Sequence, residues 1–165
     1  MAQITLGGNA INTIGNLPSK GDTAPKFSLT TVDMTAASLE TYAGKRKILN
    51  IFPSVDTGVC ATSVRTFNQQ AASLNNAVVL CISKDLPFAQ KRFCGAEGIS
   101  SVVMLSDFID GSFGKSYGVE IIDGKFTGLH ARAIVVLDEN NKVLHSELVP
   151  EIAEEPNYEA ALAAL

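Results

Sequence analysis

The chain has no tryptophan, two histidines and three cysteines, and each shortage excludes something. An odd cysteine count leaves at least one thiol unpaired, and in the cytoplasm, the compartment expected below, three cysteines do not read as a structural disulfide framework. His130 and His145 stand alone, no Cys-x-x-Cys occurs, and the cysteines fall on different expected elements, so no metal site is implied. No Gly-rich loop of the dinucleotide or phosphate-binding type is present, so no nucleotide, flavin or other cofactor is implied. Positive charge is also scarce. Lys and Arg number 13 against 17 Asp and Glu, and the densest basic cluster is Lys45, Arg46 and Lys47. A nucleic-acid partner needs a basic face, and this chain offers none. No window approaches the ~18 apolar residues of a membrane span. Met1 to Gly15 carries no Lys or Arg and no continuous apolar stretch, so it does not read as a signal peptide. A cytoplasmic address is the expectation, with no membrane partner.

What is there suits one compact domain over residues 1–165, with 46% hydrophobic and 18% charged residues. The core must come mainly from Val, Ile, Leu and Ala. Alternation in Gln3–Leu6 and again in Ala10–Ile14, around Gly7-Gly8, predicts an N-terminal hairpin. Phe27–Val32 alternates as a strand. The run Ile48-Leu49-Asn50-Ile51-Phe52, ended by Pro53, predicts a buried strand. Val59, Ser63, Val64, Phe67, Ala71 and Leu74 recur at helical spacing, so a helix is expected from Thr57 to about Leu74. Ala77–Ser83 is a second buried strand; Asp85 and Pro87 then signal a helix start and Gly95 a stop. Val102–Leu105, Ala131–Leu137 and Lys142–Val149 read as further strands, the last two a hairpin about Asp138–Asn141. Ser112–Tyr117 reads as a short helix, and Asn157 can cap a last one, Tyr158–Leu165. This order predicts an α/β, thioredoxin-like fold: a central mixed sheet flanked by helices, with an extra N-terminal β-hairpin.

Chemistry concentrates at Pro53-Ser54-Val55-Asp56-Thr57-Gly58-Val59-Cys60, between a buried strand and a helix. Free backbone N–H groups and the positive end of the helix dipole meet at a first-turn cysteine, and both favour thiolate over thiol. A thiolate can displace RO⁻ from a hydroperoxide. Thr57 stands where it could cap the helix and aim its hydroxyl near the sulfur. A cysteine in such a place can equally be a small buried hydrophobe, so position alone does not decide.

The wider pattern does. Pro53-x-x-x-Thr57-x-x-Cys60 resembles the active-site signature of the peroxiredoxins, and Asn50 to Cys60 as a string is similar to that of their bacterial thiol peroxidase branch, the atypical two-cysteine peroxiredoxins. Leu80 to Gln90, Arg92-Phe93-Cys94-Gly95 and Ala131-Arg132-Ala133 carry the likeness across essentially the whole chain. The resemblance implies that Cys60 is the peroxidatic cysteine, oxidised by hydrogen peroxide or organic hydroperoxides to a sulfenic acid. It implies that Thr57 hydrogen-bonds sulfur and peroxide, that Pro53 shields Cys60, and that Arg132 is the basic residue distant in sequence. It further implies an intramolecular disulfide with Cys94, recycling by thioredoxin, and a homodimer.

Arg132 also stands on the residues themselves. If Ala131–Leu137 is a strand, Arg132 shares a face with Ile134 and Val136, where a guanidinium is costly unless paired. It could serve the thiolate or snorkel to water, and the residues leave both open. Arg65 is a second basic candidate, better explained as a solvated helix face. Cys94, near a helix end that opens cheaply, could travel to a sulfenic acid at Cys60; the reduced chain is expected to hold the two apart. Cys81 lies in a β-branched run and reads as core filler. Two other classes remain: a redox sensor using the same cysteines, separable by turnover, and a disulfide exchanger, disfavoured by the missing Cys-x-x-Cys.

Overall fold

The computed structural model describes residues 1–165. The chain opens with a hairpin separate from the main sheet, β1 (Gln3–Leu6) and β2 (Asn9–Asn12). Gly7 and Gly8 turn it with φ of 58° and 83°. Successive positive φ values give a turn whose twist matches paired strands, and glycine reaches them without a Cβ clash. The second strand ends before the expected Ile14, because Thr13 leaves it to pair with Ile121.

The main sheet contains β3 (Ser28–Thr31), β4 (Ala36–Ser38), β5 (Arg46–Ile51), β6 (Ala77–Ser83), β7 (Val103–Ser106), β8 (Ala133–Leu137) and β9 (Val143–Leu148). Their order is β4-β3-β7-β6-β5-β8-β9. β5, β6 and β7 are parallel and every other pairing is antiparallel. Parallel neighbours need crossovers. Helix α1 (Gly58–Ala71) returns β5 to β6, and α2 (Pro87–Glu97) returns β6 to β7. Both helices therefore start at the same end of the sheet, the carboxyl ends of parallel strands, where open α/β sheets place their sites. Helices α3 (Ser112–Ser116) and α4 (Tyr158–Ala163) complete the fold. No helix is long and apolar enough to cross a membrane.

Strand residues alternate between two cores. Ile48, Val79, Cys81, Ile134 and Val136 pack with Cys60, Val64 and Phe67 of α1. Leu49, Ile51, Leu80, Ile82, Ala133 and Val135 pack on the other face with Phe27, Phe113 and Tyr117. The central strands are buried on both faces, which is why they read as continuous apolar runs. This mixed sheet, helices on both faces and separate hairpin match the expected thioredoxin-like architecture.

Other details differ from expectation, including α1, which ends at Ala71 rather than near Leu74. β4, and a 3-10 turn at Leu39–Tyr42, were not anticipated: Ala36-Ala37-Ser38 is too short to show a pattern and forms by pairing with the edge of β3. Helix α2 runs through Gly95 to Glu97; Gly98, with φ 66°, is the left-handed stop, and its amide and that of Ile99 return to the Cys94 carbonyl. A mid-helix glycine costs only about 1 kcal/mol against alanine, so Gly95 weakens the helix without ending it. β8 begins at Ala133, which leaves Arg132 just outside it. At α4 the expected cap forms, with Asn157 Oδ1 accepting from the Ala160 amide at 3.0 Å.

Candidate active site

Between β5 and α1 the chain makes a turn whose hydrogen bonds expose a helix start. The Phe52 amide still bonds the Ile82 carbonyl at 3.2 Å, and the buried Pro53, lacking an N–H, ends the pairing. Thr57 has the extended backbone of an N-cap, φ −107° and ψ 144°. Its hydroxyl does not cap the helix as expected; it donates to the Ser54 carbonyl at 3.0 Å. The first helical bond is Ala61 N–H to Thr57 C=O, at 3.0 Å, and the Gly58, Val59 and Cys60 amides have no acceptor in the chain. Cys60 sits in this first turn, among unpaired donors and at the positive end of the helix.

Arg132 reaches the sulfur from the start of β8. Its Nη2 donates to Cys60 Sγ at 3.2 Å, and its Nε donates to the Ile152 carbonyl at 2.8 Å. Its Nη1 is buried with no partner. The side chain is 1% exposed, Cys60 is 0% exposed, and no carboxylate pairs with the guanidinium. A buried guanidinium without a carboxylate is costly, so the cysteine sulfur is the partner that accounts for it. As the alternation implies, Arg132 lies on the same side as Ile134 and Val136, whose cluster contains Cys60.

Arg132, Thr57, Gly58 and Val59 border an open cavity of about 170 Å³, lined otherwise by the apolar Leu6, Phe126, Ile152 and Ala153. Leu6 comes from the N-terminal hairpin. Glu151 ties that hairpin down: its Oε1 accepts from Gly8 N–H at 2.8 Å and Thr5 Oγ1 at 3.1 Å, and its Oε2 from Ala153 N–H at 2.8 Å. These bonds, led by the Ala153 and Gly8 amides, hold its carboxyl below the usual range. Sequence reasoning missed this wall, since Thr5 and Glu151 lie 146 residues apart.

All three cysteines are free. Cys94 is in the last turn of α2, half-buried, and burial pushes its thiol up. It borders a different cavity, of about 410 Å³, with Val32, Lys91, Val102 and Met104. A third cleft of about 290 Å³ separates the first turn of α1 from Arg92, Phe93 and Ala96 of α2. Arg65 pairs with Glu97 at 3.3 Å on an exposed face. Cys81 is enclosed in β6, and burial pushes its thiol up to about 12. His130 is buried against Asp107 at 2.9 Å, and His145 lies apart on β9. No three His, Cys, Asp or Glu side chains are grouped to hold a metal ion.

A second residue, after Thr57, was misread from sequence. Asp85, expected to start α2, does not cap it; Leu86 is the N-cap and Pro87 opens the helix. The Asp85 carboxylate instead turns back to Ser54 and Val55, ahead of Cys60.

The chain resembles known proteins over nearly its whole length. Residues 19–162 match the family model described as Redoxin. The thiol peroxidase of Mycobacterium tuberculosis H37Rv is 64% identical over 165 residues, covering 100% of this chain and 99% of that protein. A peroxiredoxin-like protein from Aquifex aeolicus superimposes with TM-score 0.93 at 37% identity, over 99% of this chain and 96% of that one. The thiol peroxidase from Chromobacterium violaceum gives 0.90 at 25% identity, over 98% and 93%. The chain belongs to the redoxin family and, within it, to the thiol peroxidases.

Proposed function

We propose that Cys60 is the attacking atom of the peroxidase reaction carried by this family, and that one domain spanning residues 1–165 completes the cycle. The observation that carries the reading is the Arg132 Nη2 contact of 3.2 Å to Cys60 Sγ, beside a cavity walled by helix-start residues. A hydroperoxide enters that cavity and the sulfur attacks as thiolate. The S–O bond forms as the O–O bond breaks: Cys60–S⁻ + ROOH + H⁺ → Cys60–SOH + ROH. Arg132 Nη1 and the free amides of Gly58 to Cys60 are the donors available to the peroxide oxygens, so developing charge on the leaving oxygen meets preorganised dipoles. The apolar wall of Leu6, Phe126 and Ile152 suits an organic R group, with hydrogen peroxide also accepted. Thr57 orients sulfur and peroxide, and Pro53 shields Cys60 from water.

The sulfenic acid then condenses with Cys94, releasing water and forming the disulfide. Thioredoxin returns the pair to thiols. The setting is the cytoplasm and the working form a homodimer. The experiment is NADPH consumption by the purified chain with thioredoxin, its reductase and cumene hydroperoxide. Continuous consumption is expected, which also separates an enzyme from a single-use sensor. Cys60→Ser should abolish it, and Cys94→Ser should allow one oxidation without thioredoxin-linked turnover. Undiminished steady-state rates in either variant would refute the assignment.

A further inference from the structure

We propose that Asp85 is a latch that holds closed the segments bearing Cys60 and Cys94, and so sets how fast their disulfide forms. The proposal rests on the reading of those cysteines given above. The Asp85 carboxylate accepts three bonds at the junction of β6 and α2. Ser54 Oγ donates to Oδ1 at 2.7 Å, and Val55 N–H and Ser83 Oγ donate to Oδ2 at 2.9 and 2.7 Å. Ser54 and Val55 lead into the helix that carries Cys60. From Ser83 the network passes to α2: Gln90 Nε2 donates to Ser83 Oγ at 3.3 Å and to the Leu105 carbonyl at 2.9 Å. Gln90 lies one turn before Cys94, and both Ser83 and Gln90 are 0% exposed. One carboxylate thus joins the approach to one cysteine to the helix of the other.

The two sulfurs need different states of these segments. Cys60 is fully enclosed on Arg132, while Cys94 borders a cavity that does not include Cys60. A disulfide requires Cα atoms within about 7 Å and correctly aimed Cβ bonds. Cys60 is sealed at 0% exposure, and in the proposal the start of α1 and the end of α2 give way after oxidation. Two reactions then compete for the sulfenic acid. In the first, Cys60–SOH + HS–Cys94 gives the disulfide and water. In the second, Cys60–SOH + ROOH gives Cys60–SO₂H and ROH, with sulfur oxidised and peroxide reduced by two electrons. Bonds to a charged acceptor favour the closed state, so the latch slows the first reaction and lengthens exposure to the second.

The test measures the two steps separately in the full-length chain, by rapid acid quench and mass spectrometry of Cys60 and Cys94 after mixing with cumene hydroperoxide. Asp85→Ala should close the disulfide at least about tenfold faster, from the loss of charge-assisted bonds, while sulfenic acid formation does not accelerate. Sulfinic acid at excess peroxide should fall in parallel. Asp85→Asn, which keeps one carbonyl oxygen for the Val55 amide, should lie between parent and alanine variant. A lower melting temperature with parental closure rate and parental over-oxidation would make Asp85 a structural brace only and overturn the proposal. Should Asp85→Ala not fold, Ser54→Ala removes the bond to Asp85 Oδ1, together with the bond from the Asp56 amide, and must still speed closure; an unchanged rate there overturns it too. Failure of the underlying reading looks different, because the parent itself would then lack a Cys60–Cys94 crosslink.

Discussion

Replacing Arg132 with methionine removes the guanidinium while keeping an unbranched, adaptable chain in its place. Three features go with it: the 3.2 Å bond to Cys60 Sγ, the 2.8 Å bond to the Ile152 carbonyl, and the unpartnered Nη1. A charged donor to the reacting sulfur is worth about 1.5–3 kcal/mol, or roughly 10- to 150-fold in rate. A preorganised donor to the leaving oxygen is worth about 10²–10³-fold. Oxidation of Cys60 should therefore slow by roughly 10³–10⁵-fold. Stability should move much less. Exchanging a charge that is 1% exposed for an apolar chain removes a desolvation cost, and the unpaired Ile152 carbonyl returns about 1–3 kcal/mol of it. Arg132→Lys keeps the charge but not the fork, and should fall between. The chain has no tryptophan to report the step by fluorescence, so quenched-flow mass spectrometry is the assay, with urea unfolding as the stability control. A methionine variant oxidised within tenfold of the parent would refute the role given to Arg132.

Cys81 should resist iodoacetamide at pH 8 in the folded chain, since burial pushes its thiol up to about 12; peptide mapping that found it alkylated as fast as in urea would contradict this. Phe67 is 0% exposed and meets Tyr158 edge-on at 5.2 Å, so Phe67→Ala should cost about 3–5 kcal/mol in urea unfolding and detach α4 from α1. Glu151 has its folded pKa held below the ordinary 4.5 by the Ala153 and Gly8 amides. Its contribution is therefore fully present above pH 4.5 and is lost as pH falls through the lower folded value, loosening the hairpin from the cavity wall. Amide chemical shifts of Gly8 and Ala153 that stay constant through the acid range would contradict that reading.

How much of this was legible beforehand follows from the range of each interaction. β5 and β6 are buried on both faces and so are continuous apolar runs, and Val64, Phe67, Ala71 and Leu74 of the helical stripe face one core. Those signals are local, and they place Cys60 at a helix start. Alternation along β8, carried one residue ahead of the strand's start, put Arg132 on the face of Ile134 and Val136 but left its partner open; the likeness of Ala131-Arg132-Ala133 to the family pointed it at Cys60. The Asp85 network was not reachable, since its bonds to Ser54 and Val55 span 31 and 30 residues and its position before Pro87 imitates a helix cap. The Thr57 hydroxyl was misassigned for a related reason: the sequence places a threonine at the N-cap, but the turn supplies the Ser54 carbonyl as a competing acceptor. Gly95 misled as a stop because a glycine's identity does not state its φ, and of Gly95 and Gly98 the second alone adopts the left-handed conformation.

The most direct measurement is intact mass followed by non-reducing peptide mapping after the reduced chain meets one equivalent of hydroperoxide. The account predicts a monomer lighter by two hydrogens, with a single crosslinked peptide pair joining Cys60 to Cys94 and Cys81 still a thiol. A monomer in which Cys60 remains a thiol, or in which the crosslink runs through Cys81, would contradict it.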